Sequence, residues 1–287
     1  MKQLSYILWS VTTIIVFALF LIGGSQNGEL VSSVISSRPY AYAIAEGQVP
    51  NHVLWQKSGF TTTTGTAQVT MWNPATAYVY PTVGQEMEVV STDASGGDAA
   101  AGANVQQVRI GYLTSTGVEK STLVEMNGTT HVHTSVADIY RINSFRASRV
   151  GALGISKGVI TAKNVGSAIT YASMAIGMTL ASGGFYTVPI NKRLYITSFT
   201  ASCSASTAGK SERITLHATY DDISGALLTP AGVFFTPFLE VQLMDNAITR
   251  NLEEPMMFPA GTDLKLSIIG ESGGTCSCYL RGWMEIQ

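Results

Sequence analysis

The sequence predicts an all-β protein: two antiparallel β-sandwich or jelly-roll-like domains behind an N-terminal transmembrane-type helix. Three observations predict it. From about Gln48 onward, apolar and polar residues alternate with period two between clusters of Gly, Pro, Asn and Asp. After Pro50 no convincing helix of ordinary length follows, which disfavours a parallel α/β sheet. Ahead of both, an apolar run separates Lys2 from Glu29, the next charged residue.

The run holds Leu4, Ile7, Leu8, Trp9, Val11, Ile14, Ile15, Val16, Phe17, Leu19, Phe20, Leu21 and Ile22. As a helix it would extend roughly 28 Å at 1.5 Å per residue, close to the ~30 Å hydrocarbon core of a bilayer. Thr12 and Thr13 are compatible with this, since a hydroxyl can bond back to the preceding turn. Lys2 and the amino terminus place the N-terminus inside and the body outside. Residues 1–24 are therefore assigned to a membrane anchor. A cleaved signal peptide and a helix buried among its own copies stay open. The site Ala41-Tyr42-Ala43 lies too far beyond Ile22 for ordinary signal cleavage.

Residues 25–50 read as a stalk, helical or extended, ending at Arg38-Pro39 and Pro50. The first β-domain, 51–165, includes candidate strands at 67–72, 86–91, 105–113, 119–126, 138–145 and 158–163. The second, 166–287, includes 168–178, 185–189, 194–202, 213–220, 233–243, 263–269 and 279–286. Ser115-Thr116-Gly117 between two alternating runs is a hairpin signal, and Asn127-Gly128 is a turn.

Only 13% of residues are charged and the formal net charge is -2. Such a chain has no basic field to hold a phosphate backbone, so no nucleic-acid partner is expected. No catalytic set emerges. Gly154-Ile155-Ser156-Lys157-Gly158 and Gly270-Glu271-Ser272-Gly273-Gly274 fit the spacing G-x-S-x-G, but neither leads into a helix as a nucleophile elbow must. The Gly-rich stretches Ser95–Gly102 and Ser272–Gly274 lack the strand and helix start of a phosphate loop. Asp221-Asp222 and Glu253-Glu254 are adjacent pairs, unlike acids converging across a cleft. His52 and His217 lie near no motif that would make them bases.

His131-Val132-His133 puts two imidazoles on one face of a strand. Around a three-fold axis they would offer six ligands, yet beside the Asn127-Gly128 turn they read as surface histidines, and no metal or cofactor is assigned. Trp72, Tyr78 and Tyr80 offer faces for a sugar, against a divided core-and-surface role. Cys203, Cys276 and Cys278 read as reduced core residues, with a bridge from Cys203 to one of the other two as the alternative.

Residues 88–110, Glu-Val-Val-Ser-Thr-Asp-Ala-Ser-Gly-Gly-Asp-Ala-Ala-Ala-Gly-Ala-Asn-Val-Gln-Gln-Val-Arg-Ile, followed by a hairpin and the turn Asn127-Gly128-Thr129-Thr130, carry a resemblance. This strand–loop–strand segment resembles one in uncharacterised phage virion proteins of aquatic environments. Residues 186–197 and 258–266 look similar to the same group. The resemblance covers roughly residues 86–287. It implies a structural protein without catalysis: a minor capsid, spike or membrane-linked virion component. Its partners would be other virion proteins, copies of itself in a homo-oligomer such as a trimer, and lipid through the N-terminal helix. The alternative is a membrane-anchored adhesin or carbohydrate-binding module of a bacterial cell envelope.

Overall fold

A computed structural model describes residues 39–62, 65–205, 207, 210–219, 236–243, 246–270 and 273–287. The anchor residues Leu4 to Ile22, most of the stalk and Asp221-Asp222 lie outside the described residues. Among the described residues no helix is long and apolar enough to cross a membrane.

The chain divides into two units, 1–52 and 53–287. Within the first, α1 (Tyr40–Ala45) starts after Pro39, whose ring suits a helix start. It stops at Gly47, whose φ of +72° allows its N–H to turn back to the Ile44 carbonyl.

Among the described residues the second unit is all-β and antiparallel, built from four sheets around two large cores, with a smaller aromatic cluster beside them. Core one lies between two sheets. One contains β3 (Met87–Ser91), β6 (Val132–His133), β8 (Ile160–Asn164) and β9 (Thr170–Met174), in the order β6-β3-β8-β9. The other is β5-β4-β7, from β4 (Val105–Leu113), β5 (Glu119–Glu125) and β7 (Arg141–Val150). Val89, Ile110, Phe145 and Ile160 from both sheets meet in this core, each at most 1% exposed.

Core two unites β1 (His52–Thr61), β11 (Lys192–Ala205), β14 (Ala247–Phe258) and β16 (Gly274–Ile286), in the order β1-β16-β11-β14, with a second sheet. That sheet runs β10 (Phe185–Thr187), β15 (Asp263–Gly270), β12 (Glu212–Ala218) and β13 (Thr236–Leu243), and β2 (Val69–Thr70) also pairs with β15. Phe199, Leu216, Phe258 and Ile268 fill its centre.

The β4–β5 hairpin closes through Gly117, at φ +76°, with Thr114 N–H donating to the Val118 carbonyl. Two long strands were not read from the sequence. β14 carries Glu253, Glu254 and Pro255 and lies at a sheet edge, where proline is tolerated because no partner needs its missing N–H. β1 is the opposite edge and buries only Trp55, Gly59 and Thr61, so its alternation is broken. Residues 164–166, read as an inter-domain boundary, form the turn of the β8–β9 hairpin, with Gly166 at φ +69°. The chain leaves core one between Met174 and Tyr186, and Trp55 and Met71, which precede core one in sequence, already belong to core two.

The cysteines correct the reduced-core reading. Cys203 on β11 stands directly opposite Cys276 on β16 with Cα atoms 4.2 Å apart, and the two form a disulfide. Cys278 alone is free, and burial pushes its thiol pKa up. The bridge joins positions 73 residues apart, for which chain-entropy arguments allow about 4 kcal/mol. Reduction should therefore shift the urea midpoint of the wild type downward but leave that of Cys203→Ala unchanged; equal shifts would rule the bridge out.

Candidate functional site

The Ser91–Gly102 loop is an anchored structure. Asp98 has a fully buried side chain. Its carboxylate accepts from Ser91 Oγ at 2.7 Å and from the backbone N–H groups of Gly158 at 2.8 Å, Lys157 at 3.0 Å and Val105 at 3.2 Å. Asp93 accepts from the N–H groups of Ser95 and Asp98 and from the Ser95 hydroxyl. That hydroxyl bond, reinforced by the backbone N–H donors, holds the Asp93 pKa down at about 2. Hydrogen bonds to the charged form keep such a carboxylate ionised.

This loop in turn holds a second one. Gly151 N–H donates to the Asn104 carbonyl, Leu153 N–H to the Ala103 carbonyl, and Asn104 Nδ2 to the Ile155 carbonyl. Ser156 then ties residues 151–156 to 175–178: its N–H donates to Met178, its hydroxyl donates to Ala175, and its carbonyl accepts from Gly177. On these joined segments the apolar side chains of Val150, Leu153, Ile155, Ile176, Met178 and Leu180 are 39–64% exposed. Apolar side chains concentrated on a rigid surface mark a contact for another molecule. This is the candidate functional surface, and Asp98, one of its two supports, was read as an ordinary loop residue.

The two cores meet at a buried polar cluster. Arg141 of β7 donates through Nε and Nη2 to the Asp263 carboxylate of β15, at 3.1–3.3 Å, and through Nη1 to the Pro81 carbonyl at 2.6 Å. The ion-pair side chains are 2% and 3% exposed. Thr187 donates its hydroxyl to Asp263, and its backbone exchanges two hydrogen bonds with the Asn143 amide. Burial alone would lower the Arg141 pKa; the Asp263 carboxylate more than offsets it and raises the pKa.

Tyr80 and Tyr140 pack on the Arg141 guanidinium, with ring centroids 5.0 and 4.1 Å away. Trp72, Tyr78 and Tyr80 thus correct the sugar-platform reading: they are 4–8% exposed and cluster with Phe185. Their faces are used up inside the protein. Tyr78 stacks on Phe185 at 3.7 Å and its edge meets Trp72.

The exposed histidines each meet a carboxylate: His131 Nδ1 lies 2.7 Å from Glu88 and His133 Nδ1 lies 3.4 Å from Glu86. Among the described residues no group of three or more His, Cys, Asp or Glu is placed to hold a metal. His217 is half-buried, which lowers its pKa, and Gln68 is its hydrogen-bond neighbour.

No family model matches the chain, and no curated protein matches it. Solved structures with some likeness include the VP2 subviral particle of infectious bursal disease virus. It has 12% identity, coverage of 82% of this chain and 76% of that one, and a TM-score of 0.20. The Gt strain of that virus gives 13%, 86%, 77% and 0.17 by the same measures. The Gx strain gives 12%, 82%, 77% and 0.17. Scores of this size establish no common fold, so function has to be read from the chain's own residues.

Proposed function

We propose that the chain is a non-enzymatic structural component of a virus particle, a minor capsid, spike or membrane-linked part that works by assembly. The apolar surface on residues 150–155 and 176–180 carries this reading. It is held in place by a carboxylate-anchored loop. The resemblance of residues 88–110 to phage virion proteins agrees with it, since that segment builds the support. The uncharged run from Leu4 to Ile22 fits a link to a lipid layer of the particle.

Sedimentation of the full-length chain, in detergent, tests the assembly. Self-association is expected, and Leu153→Asp or Ile176→Asp should weaken it by at least about tenfold, or ~1.4 kcal/mol. A wild type that stays monomeric, or variants that associate equally well, would count against the surface. Mass spectrometry of purified particles tests the location, and absence of the chain from them would sink the virion role.

A further inference from the structure

A second feature lies at the seam between the two cores, bordering the assembly surface at Leu180. β1 brings Gln56, Lys57 and Ser58, β7 brings Ser144 and Arg146, and β16 brings Tyr279 to a cleft of about 280 Å³. Clefts between domains are preferred places for small ligands.

The charge lining this cleft is of one sign, supplied by Lys57 and Arg146. Among the described residues neither Lys57 nor Arg146 forms an ion pair with a carboxylate, and no acidic residue lines the cleft. Lys57 Nζ donates to the Asn143 carbonyl at 2.7 Å and lies 5.5 Å from the Phe185 ring centroid, contacts that do not neutralise it. Burial lowers its pKa to about 8. A nearby anion would offset that desolvation.

The remaining lining narrows the ligand. Ser58, Ser144 and Gln56 can each donate and accept, which suits hydroxyl groups; a phosphate would use donors only. Leu180 adds an apolar wall, and the half-buried Tyr279, its hydroxyl on Gln56, adds an aromatic one against which the C–H face of a sugar ring can pack. We propose that this cleft binds an acidic saccharide, its carboxylate between Lys57 and Arg146 and its hydroxyls among Ser58, Ser144 and Gln56.

Titration calorimetry of the full-length chain tests this with sodium glucuronate, N-acetylneuraminate, glucose and inorganic phosphate. At least one acidic sugar should bind at least tenfold tighter than both glucose and phosphate. Arg146→Gln should reduce that affinity at least tenfold, as should Lys57→Gln. Because Arg146 is exposed, its variant should keep the fold and decides the matter if Lys57→Gln does not fold. Binding should also weaken as pH rises through about 8, where Lys57 loses its proton; the other titratable groups lining the cleft, Arg146 and Tyr279, belong to the two facing strands. Phosphate binding as tightly as the sugars would show a plain anion pocket and overturn the proposal. So would binding indifferent to Arg146→Gln, or no binding by either acidic sugar.

Discussion

Arg141→Met is expected to lower the unfolding free energy by about 3–5 kcal/mol, read from urea denaturation. The size follows from what it leaves behind. Asp263 is buried, and without the guanidinium only the Thr187 hydroxyl would remain among its side-chain donors. The Pro81 carbonyl would lose its 2.6 Å bond, and Tyr80 and Tyr140 would lose the cation they flank. Since Arg141 belongs to the sheet over core one and Asp263 to a sheet over core two, the change should also loosen their coupling. Two unfolding transitions in place of one are expected. The double variant Arg141→Met, Asp263→Leu should recover most of the loss, because it removes the stranded charge. A single variant within about 1 kcal/mol of wild type, against a penalty of this size, would show that the pair does not hold the cores together.

Asp98→Ala should be at least as damaging. Four buried or part-buried donors, Ser91 Oγ and the N–H groups of Val105, Lys157 and Gly158, converge on this one side chain. Stranding each at about 1–3 kcal/mol predicts a loss above about 4 kcal/mol. Asp98→Asn should be damaging too, because its NH₂ would face donors. The loss should reach the apolar surface, since Lys157 lies two residues after Ile155 and four after Leu153. Hydrogen exchange at residues 151–158 should rise in both variants; unchanged protection there would separate the loop from the surface. Asp93 adds a pH signature. Its folded pKa, about 2, lies below the ordinary 3.8. Its contribution is thus present in full above that ordinary value and lost as pH falls towards 2. Asp93→Asn should flatten the stability profile in that window.

Much of the fold was legible because strands and turns are local. The β4–β5 hairpin follows from two alternating runs around a glycine that takes positive φ. β4 spans the bounds read from the sequence, 105–113, although its burial alternates only from Val108 to Tyr112. Edge strands were harder, since β14 meets solvent along most of its length and displays charge where a central strand would display Val or Ile. The Gly-rich run at 95–102 was legible as a loop but not as a support. Glycines there are consistent with flexibility or with close approach equally. The structure decides for close approach, because a Cβ at Gly102 would collide with the Gly97 carbonyl.

The chain alone determined that this is an antiparallel β protein with little charge, and it marked the uncharged run from Leu4 to Ile22 that opens it. Those properties are sums over neighbours in sequence. Tertiary structure decided everything that depends on distant residues meeting. Arg141 and Asp263 are 122 positions apart, Cys203 and Cys276 are 73 apart, and Lys57 and Arg146 line one cleft only because edge strands of different sheets converge. It also turned Trp72, Tyr78 and Tyr80 inward, since the alternation that offers a ring to solvent offers it equally to a second layer. Which side is covered depends on the rest of the chain. A local pattern therefore gives the strands, and only their packing shows which residues are free to bind.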